Sequence, residues 1–318
     1  MTREMTFTIR KKDAGRNLSD FLAARFTYHT AEEWNRLIAE GRVSVNGRRK
    51  PAPDTPVGTG DVLRYDASDI PEPPVDETFG VVMDDPLLMV IDKPGNLPCH
   101  PGGRYFNHTL WAMLKVRHGL TDPVLVNRID RETSGLVLIA KTPGAAQNLW
   151  KQFAARAVFK HYTVFVEGVF PERLETTGWL MPDPCSAIRK KRRFTPAAAG
   201  TPAPCREAEW AETVFERVRL CDGFSAVSAH PGTGRLHQLR ATLQSLGYPV
   251  VGDKLYGVDE TLFLKFCKDE LTGEDWARLR MRRQALHADT LRFRHPRFGS
   301  PTEAMSPLPP DMAALFTG

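Results

Sequence analysis

The stretch VNRIDRETSGLVLIAKT, residues 126–142, puts two kinds of chemistry in one short run. Asn127, Arg128, Asp130, Arg131 and Glu132 crowd together, and an apolar run, Leu136–Ala140, follows at once. A short apolar run bounded by turn signals reads as a buried strand, and loops at strand edges place functional side chains on a rigid frame. Asp130 is therefore a catalytic group, a ligand or part of a solvated turn. For an Asp in a loop, taken alone, the turn is the commonest of the three.

The segments around it are rich in strands. VVMDDPLLMVIDKP (81–94) reads as two short strands around an Asp-Asp-Pro turn, and HYTVFVEGV (161–169) and FSAVSAHP (224–231) read as strands. HTLWAMLKVRHG (108–119) and GAAQNLWKQFAARA (144–157) have helical spacing. Strands outnumber helices without alternating regularly with them, which disfavours a doubly wound parallel sheet. The expectation is an α+β fold with a mixed, mostly antiparallel sheet. MPDPCSAIRKKRRFTPAAAGTPAPCR (181–206), dominated by Pro, Gly and basic residues, reads as a long loop or hairpin excursion.

Residues 1–66 form a separate unit by composition. NLSDFLAARF (17–26) carries Leu18, Phe21, Leu22 and Phe26 at helical spacing, with Asn17 or Ser19 as the N-cap. TAEEWNRLIAEG (30–41) is a second helix ending at Gly41, a C′ glycine. RVSVNGRR (42–49) runs into Asn-Gly, a hairpin signal. The Pro-rich, acidic stretch 67–78 reads as a linker, leaving 79–318 as the larger domain.

The 318 residues carry a formal charge of +5, and the sequence pI is about 9.0. That balance is compatible with a polyanionic partner. The positive charge clusters at Arg48, Arg49 and Lys50, and again at Arg189, Lys190, Lys191, Arg192 and Arg193. Five scattered cysteines without CxxC spacing argue against a disulfide framework or a cysteine-built zinc site. No window approaches the roughly 20 apolar residues of a membrane span, and the N-terminus lacks the apolar core of a secretory signal. A cytoplasmic monomer is expected.

Residues 14–66, with two helices, EGRVSVNG and GTGDVLRY, resemble the S4 domain, a small RNA-binding module. The resemblance implies a basic RNA-facing surface carrying Arg36, Arg42, Arg48, Arg49 and Lys50. Four segments of the larger domain, in order, resemble the RluA family of RNA pseudouridine synthases. They are VIDKPGNLPCHPGG (90–103), NRIDRETSGLVLIAK (127–141), KHYTVFVEG (160–168) and GRLHQLRATLQSLGYPVVGDKLYG (234–257), with ALHADTLRFRHP (285–296) behind them.

The resemblance implies an enzyme that breaks the N-glycosidic bond of a uridine, turns the base and rejoins it through C5, with no cofactor. In it, Asp130 takes the position of the catalytic aspartate and Arg128 that of an arginine holding the flipped-out state. Tyr162 takes the position of an active-site tyrosine, for which packing against the base is favoured over proton removal. Arg240 fits the arginine that pairs with the aspartate, with Arg235 as the alternative. His237 and Gln238 are read as supporting residues. The partner would be RNA, ribosomal in preference to transfer RNA. This chain departs from the family in having Asn127 where His is usual and Ile129 where Leu is usual. Asn127 motivates the competing reading, a non-catalytic RNA-binding protein that keeps the fold.

Overall fold

Strand pairing sorts the alternating apolar positions into two sheets. The structure is a computed structural model that describes residues 3–26, 28–68 and 71–316. The chain divides into two compact units, Met1–Pro74 with His100–Met113, and Val75–Cys99 with Leu114–Gly318.

In the first unit, β1 (Glu4–Thr8), β2 (Val43–Val45), β3 (Arg48–Arg49) and β4 (Val62–Asp66) form an antiparallel sheet in the order β1-β4-β2-β3. Helices α1 (Leu18–Arg25) and α2 (Ala31–Ala39) supply Leu18, Phe21, Leu22, Trp34, Leu37 and Ile38 to a core shared with Leu63 and Tyr65 of β4. Asn17 occupies the α1 N-cap position without a side-chain bond, whereas Thr30 and Glu33 close a capping box on α2. The β2–β3 turn is Asn46-Gly47, both at positive φ, as a tight hairpin of this twist requires.

This unit is larger than the segment 1–66. It extends to Pro74 and takes in residues 100–113. The Glu72 carboxylate accepts backbone N–H bonds from Phe106 at 2.6 Å and from Asn107 and His108 at 2.9 Å. Such charge-assisted bonds tie a segment down far more firmly than its Pro content suggests. Asp69 and Ile70 of the expected linker lie outside the described residues.

The second unit is built on an 11-stranded sheet. Its strands are β5 (Gly80–Asp84), β6 (Leu88–Lys93), β7 (Val124–Leu125), β8 (Ser134–Ala140), β9 (Phe159–Glu167), β10 (Arg173–Pro182), β11 (Arg192–Pro196), β12 (Glu209–Cys221), β13 (Phe224–Pro231), β14 (Leu286–Arg294) and β15 (Pro301–Met305). The order is β11-β10-β12-β13-β9-β14-β8-β6-β5, with β15 on β14 and β7 on β8. Among the described strands only β14 and β8 pair in parallel, so the sheet is mixed and mostly antiparallel, as its sequence implies. The remaining helices are α3 (Leu110–Arg117), α4 (Pro143–Ala154), α5 (Gln238–Ser245), α6 (Thr261–Lys268), α7 (Gly273–Leu279) and α8 (Pro310–Ala313). The stretch 181–206 is a hairpin: β11 returns along β10, with Met181 opposite Arg193.

Two packing facts position the site. All seven residues of β8 are buried, and Gly135 at its start has φ +107°, where an added Cβ would lie 2.1 Å from the Ala288 carbonyl oxygen. Only glycine admits that approach of β14. Alternate residues of β9, Tyr162, Val164 and Val166, pack with Leu239 and Leu243 of α5 and with Phe215 and Leu286. The loop entering β8, strand β9 and helix α5 therefore converge.

Candidate active site

The loop 127–133 is fixed through its own backbone. Cys99 donates its thiol to the Ile129 carbonyl at 3.3 Å. The Arg131 carbonyl accepts from the Leu97 N–H at 3.0 Å and from Lys93 Nζ at 3.1 Å, and Arg283 Nη1 donates to the Glu132 carbonyl at 3.2 Å. Lys93 is fully buried, and burial pushes its ammonium down to about 8. Asn127 faces β8, accepting the Leu138 N–H at 2.7 Å and donating Nδ2 to the Leu136 carbonyl at 3.2 Å. Its amide acts as a short strand against β8, a task needing one donor and one acceptor and no titratable ring.

Held this way, the Asp130 side chain stays 27% exposed and meets Arg240 of α5, whose Nη1 donates to Oδ2 at 2.6 Å. The rest of that guanidinium is committed to Asp253. Nε and Nη2 donate to its two carboxylate oxygens at 2.6 and 2.9 Å, and the Arg240 Cζ lies 4.9 Å from the Tyr256 ring centroid. Asp253 is fully buried and also accepts the N–H groups of Leu255 and Tyr256, each at 2.9 Å. A planar fork with five donors serves two carboxylates at once in a fixed geometry, which a lysine ammonium does not offer. Burial opposes ionisation of Asp130, but the Arg240 guanidinium outweighs it and holds the carboxyl below the ordinary carboxylate range. Asp130 is thus ionised at neutral pH and open to solvent on one side.

Around it, Tyr162 is half-buried on β9, and burial, reinforced by the Asp130 charge, drives its hydroxyl above the usual value. The ring is a neutral packing and donor group in the free protein. His237 Nε2 stands 3.9 Å from Asp130 Oδ1, and burial pushes the His237 imidazole down to about 4, so it is neutral at pH 7. Arg128 is exposed and takes part in no salt bridge among the described residues. The Glu132 carboxylate is held instead by Lys254 and Arg131, each at 3.0 Å. Arg235 turns away, donating Nε to the Trp210 carbonyl at 3.1 Å, so of the two candidate arginines it is Arg240 that reaches Asp130. Among the described residues no group of three or more His, Cys, Asp or Glu is placed to hold a metal ion.

A family model described as RNA pseudouridylate synthase matches residues 87–245. The chain belongs to that family. The tRNA pseudouridine(32) synthase, mitochondrial, of Saccharomyces cerevisiae is 34% identical over 77% of this chain and 51% of its own length. Ribosomal large subunit pseudouridine synthase D of Xanthomonas campestris is 32% identical over 96% of this chain and 89% of that protein. Among solved structures, human RNA pseudouridylate synthase domain containing 4 aligns with a TM-score of 0.58 at 25% identity, covering 75% of this chain and 92% of that one. The protein is an RNA pseudouridine synthase of the RluA family, with the pseudouridine synthase fold.

The synthase's basic residues fall into two groups. In the first unit Arg36, Arg48, Arg49 and Lys50 are exposed, while Arg42 is half-buried beside Glu40 at 3.4 Å. A cavity of about 650 Å³ there is lined by Arg42, Arg49 and Arg64 but also by Glu4, Glu40 and Asp66. In the β10–β11 hairpin Arg189, Lys190 and Arg193 are exposed and Arg192 is half-buried. Lys191 departs from the reading of this run as uniformly RNA-facing. It is only 6% exposed, and its ammonium reaches Glu260 at 2.5 Å. A buried cation finds a carboxylate partner wherever the fold can supply one.

Asp253, Tyr256, Lys93 and Gln284 are site residues that sequence reasoning did not single out. Gln284 helps to hold the Asp130 carboxyl low and donates Nε2 to Thr133 Oγ1 at 2.5 Å. A signal existed for two of them. Asp253 and Tyr256 stand in VVGDKLYG, where an Asp set among Val, Gly and Leu is either exposed or paired.

Proposed function

We propose that Asp130 is the carboxylate that acts at the ribose of a flipped-out uridine. Its role is to attack C1′ or to stabilise the cationic sugar as the N1–C1′ bond breaks, as carboxylates do in glycosidic cleavage elsewhere. The freed uracil turns and C5 joins C1′; C5 then loses its proton and N1 carries one, so the product is an isomer. Arg240 keeps Asp130 ionised and aimed. Tyr162 packs against the uracil. Arg128, exposed and unbridged, is free to occupy the space the base leaves, a step that offsets an unstacking cost of a few kcal/mol. Asn127 in place of His is compatible with activity, because its two bonds go to the β8 backbone. The single observation that carries the reading is the 2.6 Å Arg240–Asp130 contact on a carboxylate still open to solvent.

We further propose that the first unit is an S4-like anchor. Arg36, Arg42, Arg48, Arg49 and Lys50 would meet RNA phosphates there, as Arg189, Lys190, Arg192 and Arg193 would in the larger unit. Ribosomal RNA is the favoured substrate. The relative named for the large ribosomal subunit aligns over 96% of this chain, whereas the one named for tRNA aligns over 77%.

The test is pseudouridine mapping by carbodiimide labelling and primer extension. The RNA would come from cells lacking the gene, complemented with wild type or with Asp130→Asn. A site restored by wild type alone supports the reading and names the substrate. A site restored equally by the variant removes Asp130 from the chemistry, and no dependent site favours a non-catalytic RNA-binding protein.

A further inference from the structure

The run of cations at 189–193 is attached to the site by a route the roles above do not use. Three ties leave the hairpin on its way into β11. Lys191 reaches Glu260, the Phe194 N–H donates to Ser245 Oγ of α5 at 3.0 Å, and the Arg192 N–H donates to the Tyr256 hydroxyl at 2.8 Å. The last is the informative one. Tyr256 is fully buried, so its hydroxyl hydrogen must find an acceptor within the fold. His237 Nδ1 lies 2.9 Å from the same oxygen.

A phenol has one hydrogen to give. With the Arg192 N–H donating to the Tyr256 oxygen, the hydroxyl hydrogen goes to His237 Nδ1. The imidazole is neutral at pH 7, so its single proton then sits on Nε2, the nitrogen facing Asp130 Oδ1 across 3.9 Å. His237 is also held at φ +56° at the head of α5, a conformation uncommon for a non-glycine residue and one that needs support from its surroundings. The ring of Tyr256 meanwhile covers the Arg240 guanidinium. One side chain therefore touches the hairpin backbone, the imidazole beside one Asp130 oxygen and the guanidinium on the other.

We propose that Tyr256 is a positioning residue that couples RNA occupancy of the exposed cations Arg189 and Lys190 to the alignment of Asp130, by fixing the tautomer and orientation of His237. The inference rests on the reading of Asp130 as the reacting carboxylate. RNA phosphates on Arg189 and Lys190 hold the hairpin in place, the Arg192 N–H stays on Tyr256, and the Nε2–H of His237 faces the carboxylate. Without those phosphates only the three ties described above hold that chain of bonds.

The experiment is a double-mutant cycle on single-turnover pseudouridine formation, with protein varied in excess over RNA to give a saturated rate and a half-saturation, combining Tyr256→Phe with the pair Arg189→Ala/Lys190→Ala. Tyr256→Phe keeps the ring on Arg240 and removes only the hydroxyl. Its saturated rate should fall roughly tenfold with half-saturation unchanged. The pair should raise half-saturation in both backgrounds but lower the saturated rate only where Tyr256 is intact. Independent, additive losses in rate would overturn the proposal, as would no loss of rate in Tyr256→Phe.

A second measurement needs no activity. The imidazole ¹⁵N shifts of His237 should report a bare Nδ1 in wild type and a mixed tautomer in Tyr256→Phe. A His237 that keeps the same tautomer in both would also overturn it. If Tyr256→Phe fails to fold, Glu260→Gln releases the Lys191 tie without touching Arg240, and the same non-additivity is expected. Wild type inactive on every RNA would instead sink the parent reading.

Discussion

Arg240 and Arg48 carry the same guanidinium in opposite kinds of surroundings. Arg240 is buried, with donors directed to two carboxylates at 2.6 to 2.9 Å. Arg48 is exposed on the two-residue strand β3 next to Arg49. A buried guanidinium acts through geometry, and removing it strands the charges it compensated. An exposed one acts through counterion release, weakly, additively and in proportion to salt. Arg240 therefore sits where water is scarce, and Arg48 and Arg49 where it is plentiful.

The sharpest break in that contrast is Arg240→Met. Asp130 and Asp253 would be left without their shared cation, and the fold should lose about 3–5 kcal/mol by denaturant titration, with pseudouridine formation abolished. Arg240→Lys restores the charge but not the fork, so it should recover stability in part and leave activity well below wild type.

Acid dependence probes the same pair. Folding lowers the Asp253 carboxyl pKa, because the Arg240 guanidinium outweighs its burial. Its stabilisation is therefore complete above the unfolded value of roughly 4 and is lost as pH falls through the lower folded value. Asp253→Asn should be destabilised at pH 7, with the gap to wild type narrowing toward pH 3 in parallel denaturation curves. A gap independent of pH would mean that packing, not charge, is what Asp253 supplies.

Asn127→Ala should cost about 1–3 kcal/mol by leaving β8 backbone groups unpaired, while Asn127→His retains much of the stability. The smallest effect belongs to the surface. Arg48→Ala with Arg49→Ala should reduce the salt slope of RNA binding by roughly 0.7–0.9 per lost phosphate contact, with the saturated rate unchanged. Lys191→Ala, by contrast, should leave the slope alone, because that ammonium is spent on Glu260.

Period and punctuation made the sheet legible. The β8 run, the β9 segment and the Asn46-Gly47 turn are all local signals, and these strands formed where local signals placed them. The Asp130–Arg240 contact spans 110 positions and was legible only through a family resemblance, since no local pattern links a loop to a distant helix. Lys191 was hidden for the same reason. Five consecutive cations look alike in sequence, and only the fold brings Glu260 to one of them. The role of residues 100–113 in the first unit was equally hidden, because a single carboxylate, Glu72, gathers three backbone donors that carry no sequence signature.

The most direct test of the account follows the C5 hydrogen. RNA labelled with tritium at uracil C5 should release tritium to water with wild-type protein, because joining C5 to C1′ expels that hydrogen. Asp130→Asn should release none while binding the same RNA with an unchanged salt slope. Tritium release by Asp130→Asn at close to the wild-type rate would contradict the assignment of Asp130 as the reacting carboxylate.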